Sequence, residues 1–251
     1  MPRRNRGFGS GGACCHITQR CVQREFLLKF KRDRRNYVQR LGEGLARHTV
    51  SLLAYVVTSN HSHLLVWSKR ASEISALMQY VGGCTAQDYN RRKERSGSYW
   101  GERYHVTLVQ SGSHLSRCLF YIDMNMVRVK VVKHPIDWET GGCGELMGQL
   151  DGPGLIDLDA VVRATAAKDL ASFRRWHQKT LAYLCARSEH PREPWWTEAV
   201  AVGDQGYIAE LAERYTPSSR RVGEIRAEDR TELWTMGLSK RQRAGFLNSF
   251  D

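Results

Sequence analysis

The chain has 251 residues, 41% hydrophobic and 25% charged, enough for one large domain or a core domain with a smaller appendage. No apolar run approaches the roughly 20 residues of a membrane span, and the charged opening Met1 to Gly7 has no apolar stretch behind it, which sets aside spanning and secreted classes. The net charge of +12 lies entirely in residues 1–150, which hold 23 Lys/Arg against 11 Asp/Glu, whereas residues 151–251 hold 15 of each. Such asymmetry points to a polyanionic partner for the first part, nucleic acid above all.

Seven cysteines, an odd number with no CxxC pair, read as reduced thiols of a cytosolic protein. The Arg- and Gly-rich first dozen residues suit an arm that touches phosphates, Arg3 and Arg4 among them. Cys14 to Cys21 has the length and β-branched content of a first strand. Its His16 is read as a satisfied sheet histidine ahead of a third metal ligand. From Lys29 to His48 the period turns helical, with Tyr37, Leu41 and Leu45 on one side. Lys31, Arg32, Arg34 and Arg35 crowd its first turns, against the macrodipole; a bound anion or a solvated face accounts for them equally.

Thr49 to Thr58 is β-branched and apolar, hence a buried strand, and Ser59-Asn60 turns it into a partner strand that opens His61-Ser62-His63. Side chains alternate across a strand, so His61 and His63 share a face with Ser62 opposite, and two imidazoles on one face make half of a metal site. A second helix follows from Ser72 to Lys93, with Ser72 and Ser75 as caps and Gly82-Gly83 marking a kink or a close backbone approach. Arg91 and Arg92 close it. Then Tyr99-Trp100-Gly101-Glu102-Arg103-Tyr104 interleaves aromatics with cations, a mixture that stacks on unpaired bases while holding the backbone.

His105 to Gln110 is a fourth strand, and Ser111 or Ser113 caps a third helix from Leu115 to about Val127. On that helix Tyr121 and Asn125 stand four apart, on one face. A phenol is a nucleophile and an amide oxygen a metal ligand, so the set supplies two nitrogens, one oxygen and an attacking group. The order β-α-β-β-α-β-α predicts an α+β fold, a ferredoxin-like plait of antiparallel sheet and helices, with a mainly helical C-terminal region. Gly152-Pro153-Gly154 marks the boundary between a catalytic domain, 1–150, and an extension, 151–251, of no assigned role. Residues 155–190 and 203–215 of that extension are read as helices, and Lys240-Arg241-Gln242-Arg243 makes its tail basic.

Three stretches resemble the REP-associated tyrosine transposases of the single-tyrosine HUH superfamily. They are Asn60-His61-Ser62-His63-Leu64-Leu65, Trp100-Gly101-Glu102-Arg103-Tyr104, and Tyr121-Ile122 with Asn125, Val127 and Arg128. The resemblance covers about residues 1–150. It implies a ferredoxin-like, Mg²⁺- or Mn²⁺-dependent nuclease and strand transferase that acts on single-stranded DNA near hairpins through a 5′-phosphotyrosine. By that likeness His61, His63 and Asn125 are the metal ligands and Tyr121 the nucleophile; Arg3, Arg4, Arg91, Arg92, Trp100 and Arg103 are expected to bind DNA. The protein would act in the cytoplasm at the nucleoid, as a monomer or homodimer, with no membrane partner.

The chain departs from the family pattern at Ser59 and Met126, where prolines are usual, and at Thr140-Gly141-Gly142-Cys143, where an aromatic motif is usual. The alternative reading is therefore a catalytically weakened DNA-binding protein on the same scaffold. A zinc hydrolase, the other class that opens on His-x-His, would need a series of downstream ligands on a barrel, and the chain past residue 130 offers none.

Overall fold

The computed structural model describes residues 11–149, 152–214, 222–226 and 232–236. Arg3 and Arg4, the rest of the N-terminal arm before residue 11, and the basic tail at 240–243 lie outside them. The β-branched runs form β1 (Ala13–Arg20), β2 (Ser51–Val57), β3 (His61–Ser68) and β4 (His105–Val109). They pair antiparallel in the order β2-β3-β1-β4, the predicted plait. All four are buried along most of their length, because both faces are covered. One bulge at Leu53 interrupts the β2–β3 ladder.

The first face takes α1 (Lys31–Leu45) and α2 (Ala71–Arg92), which pack on each other. The Tyr37 hydroxyl from α1 lies 2.9 Å from Ser62 Oγ, so Ser62 points to this layer and its neighbours His61 and His63 to the other. Gly82-Gly83 leaves α2 unbroken and serves a close approach: a Cβ on Gly82 would stand 3.1 Å from the Gln19 amide and 3.3 Å from Trp100 Nε1.

The second face takes α3 (Ser113–Asp123) and the single turn α4 (Asn125–Arg128), separated at Met124 where the predicted third helix loses regular geometry. Neither serine caps α3. Its N-cap is Gly112, whose φ of 81° turns the chain into the helix and whose N–H donates to the Ala164 carbonyl. Nor does Ser72 or Ser75 cap α2; Arg70 stands there, and Ser75 Oγ donates back to the Ala71 carbonyl.

The expected helices of the C-terminal part are α6 (Leu158–Thr165), α7 (Leu170–Cys185) and α9 (Gln205–Arg214), joined by the short α5 (Cys143–Met147) before them and α8 (Trp195–Glu198) between. Three strands that the sequence reading does not contain accompany them: β5 (Ala201–Gly203), β6 (Val222–Arg226) and β7 (Glu232–Met236). Strand β5 pairs parallel with β4, and β7 and β6 follow, so one seven-stranded sheet runs β2-β3-β1-β4-β5-β7-β6. At the opposite edge the Thr140-Gly141-Gly142 stretch covers β2, with Val57 N–H donating to the Thr140 carbonyl and Gly142 N–H to the Tyr55 carbonyl. No described helix is long and apolar enough to cross a membrane, and the described cysteines are free.

Candidate functional site

The β2–β3 hairpin delivers both histidines to the second face, where α3 lies. The rings of His61 and His63 are 4.9 Å apart and meet edge to face; the Tyr121 ring lies 5.9 Å from that of His63 at a similar angle. Tyr121, His63 and Asn125 are all buried. Asn125 begins α4, four residues past Tyr121, as the helical spacing requires.

Each histidine spends its Nδ1 on a protein partner. For His61 the partners are Asn60 Oδ1 at 2.6 Å and Thr58 Oγ1 at 2.9 Å. The Asn60 amide is oriented by its Nδ2, which donates to the Arg24 carbonyl, so its oxygen faces His61 and can only accept. His61 therefore carries its proton on Nδ1 and its lone pair on Nε2. His63 Nδ1 lies 2.9 Å from Nε2 of the fully buried His16, a residue of β1.

Burial pushes the His61 imidazole down to about 4, helped by the charges of Arg20 and Arg192, and pushes His63 well below the usual histidine range. Both rings are thus neutral near neutral pH, the form in which an imidazole can bind a metal. Among the described residues no three His, Cys, Asp or Glu side chains are grouped to hold a metal ion. Two neutral imidazoles nonetheless fit a divalent cation by donor chemistry, and an amide oxygen such as that of Asn125, buried on α4, is a donor of the kind that would join them.

Tyr121 is held in a cationic setting. The Arg128 guanidinium stacks on its ring at 4.3 Å to the centroid, and an Arg128 N–H donates to the Tyr121 carbonyl. Burial raises the Tyr121 phenol above its ordinary range, while Arg128 and Arg192 pull it back down. Arg20 and Arg192 are missed by the sequence reading. Arg20 has a register signal, since it stands directly opposite His61 on the neighbouring strand. Arg192 has none: it follows the helices of the C-terminal part and is joined to Glu198 at 2.7 Å.

The expected DNA-binding residues divide. Arg91 and Arg103 are exposed. Arg92 is bound to the buried Asp33 carboxylate and covers Tyr89, so it ties α2 to α1. Trp100 is half-buried, its indole N–H donates to the Gly82 carbonyl at 2.9 Å, and it meets Tyr37 and Tyr99 edge to face, which leaves only the rest of its ring for a base. The crowded start of α1 is largely satisfied within the protein. Lys31 and Arg35 pair with Glu139, and Arg34 donates to Thr140 Oγ1 and to the Leu28 and Lys29 carbonyls.

Two aromatics that the sequence reading passes over are open to solvent: Phe26 at 65% and Phe30 at 59% exposure. Lys29 and Lys93 ammonium groups stand 6.0 Å and 5.8 Å from the Phe30 ring. Their segment is fastened to the turn before His61, since Leu28 N–H donates to the Ser59 carbonyl and Asn60 Nδ2 to that of Arg24.

Residues 12–125 match the family model described as "Transposase IS200 like". Among solved structures, the chain is similar to a REP-associated tyrosine transposase bound to a REP hairpin, with 16% identity and a TM-score of 0.49 over 62% of this chain and 88% of that one. It is also similar to a candidate transposase from Deinococcus radiodurans R1, with 16% identity and a TM-score of 0.34 over 47% of this chain and 92% of that one. Comparison with curated proteins gives no match. The plait, the paired histidines, Tyr121 and Asn125 all fall inside the stretch that is similar to the IS200-like transposases, which spans a little under half of the chain.

Proposed function

We propose that the protein is a metal-dependent endonuclease and strand transferase of single-stranded DNA, with Tyr121 as nucleophile and His61, His63 and Asn125 as ligands of Mg²⁺ or Mn²⁺. The observation that carries this reading is the meeting of Tyr121 with His63 inside a cationic pocket, its ring 5.9 Å from the imidazole and 4.3 Å from the Arg128 guanidinium. A phenol of raised pKa is protonated near neutral pH and needs a cation to become an attacking oxygen. A divalent ion bound there would supply charge neutralisation for the scissile phosphate and would favour the phenolate.

The chain's own residues do the rest. Arg128 holds the ring in place and, with Arg20 and Arg192, keeps the pocket positive for a phosphodiester. Tyr121 oxygen forms a bond to phosphorus as the bond to the 3′-oxygen breaks. The phenol loses its proton and the departing 3′-oxygen gains one. The product is a 5′-phosphotyrosine with a free 3′-hydroxyl. One phosphodiester is exchanged for another, so a second DNA hydroxyl can reverse the step and rejoin the strand without ATP.

The exposed Phe26 and Phe30 with Lys29 and Lys93, together with Arg91, Arg103 and the open part of Trp100, form the surface that takes the unpaired strand by stacking and phosphate contact. The N-terminal arm, with Arg3 and Arg4, adds cations by sequence.

The second reading is a DNA-binding protein with weakened chemistry on this scaffold, favoured by Met126 and Ser59 at positions where the resembling family has proline. One assay separates the two. Incubated with a single-stranded hairpin oligonucleotide and Mn²⁺, the protein should yield a covalent adduct stable to denaturant. Binding without an adduct at any metal concentration would leave the second reading standing.

A further inference from the structure

His16 belongs to none of the motifs that named the site, yet it touches one of the ligands. It sits on β1 opposite Leu65 of β3 and Thr107 of β4, fully buried on the face that carries His63. Its Nδ1 lies 2.8 Å from the Trp196 carbonyl oxygen and its Nε2 lies 2.9 Å from His63 Nδ1. A carbonyl oxygen only accepts, so the proton of His16 is on Nδ1 and is donated to Trp196. His16 is fully buried, where the uncharged ring is favoured, so with the proton on Nδ1 its Nε2 holds a lone pair. That lone pair can only accept from an N–H on His63 Nδ1. Neutral His63 then has its own lone pair on Nε2.

The acceptor at the far end is itself held. Thr107 Oγ1 lies 3.1 Å from the same Trp196 carbonyl and 2.8 Å from that of Ala199, which share its one proton, and the Trp196 indole N–H donates to Glu193 Oε2 at 2.5 Å. The Trp196 ring also reaches within 6.3 Å of Tyr121. Trp196 lies in α8, far outside residues 12–125.

We propose that the Trp196 carbonyl and His16 are a positioning relay that fixes the tautomer and ring orientation of His63, so that Nε2 is presented to a divalent cation. The proposal rests on the reading of His63 as a metal ligand. It gives the C-terminal part a role: α8 completes the site from outside the family segment. Partners of this kind orient metal-bound histidines, and their loss typically weakens metal binding about 10–100-fold.

The test uses the full-length protein and two readouts, neither of them cleavage. Long-range ¹H–¹⁵N NMR of the metal-free wild type should find the His63 proton on Nδ1. Mn²⁺ affinity, followed by the EPR signal of free Mn²⁺, should fall about 10–100-fold in His16→Leu. It should stay within a few-fold of wild type in His16→Gln, whose amide carries a donor beside an acceptor. A wild-type His63 proton on Nε2 would overturn the relay, and this measurement needs no variant to fold. A folded His16→Leu protein with undiminished Mn²⁺ affinity would overturn it too. Wild-type protein with the Nδ1 tautomer but no Mn²⁺ binding would uphold the relay and remove the metal reading instead.

Discussion

His177 Nε2 lies 2.8 Å from Asp123 Oδ2 with both side chains sealed from solvent, so α7 is fastened to the helix that carries Tyr121. The His177 ring is further sandwiched between Phe120 and Phe173, near-parallel to each. Replacing His177 by Ala leaves a buried carboxyl group without its partner and opens a cavity. A loss of about 3–5 kcal/mol is expected in denaturant unfolding. A change below about 1 kcal/mol would show that α7 is not coupled to the helix that carries Tyr121.

Tyr121→Phe removes one oxygen and keeps the ring that Arg128 covers. Stability should change by less than about 1.5 kcal/mol, and Mn²⁺ and DNA should still bind, while cleavage and the covalent adduct disappear. His63→Ala should stop cleavage by another route, through weaker metal binding, so extra Mn²⁺ restores part of its activity and none in the Phe variant. Adduct formation by the Phe variant would point to another nucleophile, such as Tyr104.

Single-strand affinity should separate stacking from charge. Alanine at Phe26 or Phe30 should weaken binding by about 1–3 kcal/mol at unchanged salt dependence. Removal of Arg91 and Arg103 should instead flatten the salt slope, by about 0.7 for each phosphate that is no longer neutralised. Trp100→Ala should cost fold stability as well, about 2 kcal/mol, less than a fully buried Trp. Unchanged affinity in all of these variants would place the DNA surface elsewhere.

Acid should destabilise the protein before its carboxylates titrate. His16 and His61 are buried neutral with pKa values near 4, whereas the unfolded chain takes up protons near 6.5. A depressed folded pKa means stability that is fully present above about 6.5 and is lost as pH falls toward 4. Unfolding midpoints in urea at pH 7.5, 5.5 and 4.5 should fall in that order. The loss should be smaller in His16→Gln, which removes one of these groups and keeps His61 and His63.

The plait was legible because its signals are periodic and local. The run Thr49–Thr58 is apolar and β-branched as a buried strand is, His105–Gln110 has strand composition, and Tyr37 and Leu41 recur at helical spacing and are fully buried. Strand alternation alone put His61 and His63 on one face, and helical spacing put Tyr121 before Asn125. What escaped was set by distant partners or by single backbone angles. His16 is explained only by a carbonyl 180 residues away. Strand β5 is three residues long and exists because β4 has an edge to offer, which no local pattern announces. The cap of α3 went to Gly112 because its positive φ, invisible in composition, decides where the helix begins.

The addition of β5, β7 and β6 to the β4 side has a consequence for assembly. A plait on its own leaves the backbone of its last strand free to hydrogen-bond with the same strand of a second copy. Here the N–H groups of Leu108 and Gln110 are already donated to the carbonyls of Val200 and Val202. That rim of the sheet is therefore closed to self-association by strand pairing, and Thr140-Gly141-Gly142 guards the β2 rim in the same way. Among the described residues, strand pairing between two copies would use the outer edge of β6 and not β4, giving a geometry that a shorter plait without the extra strands need not share.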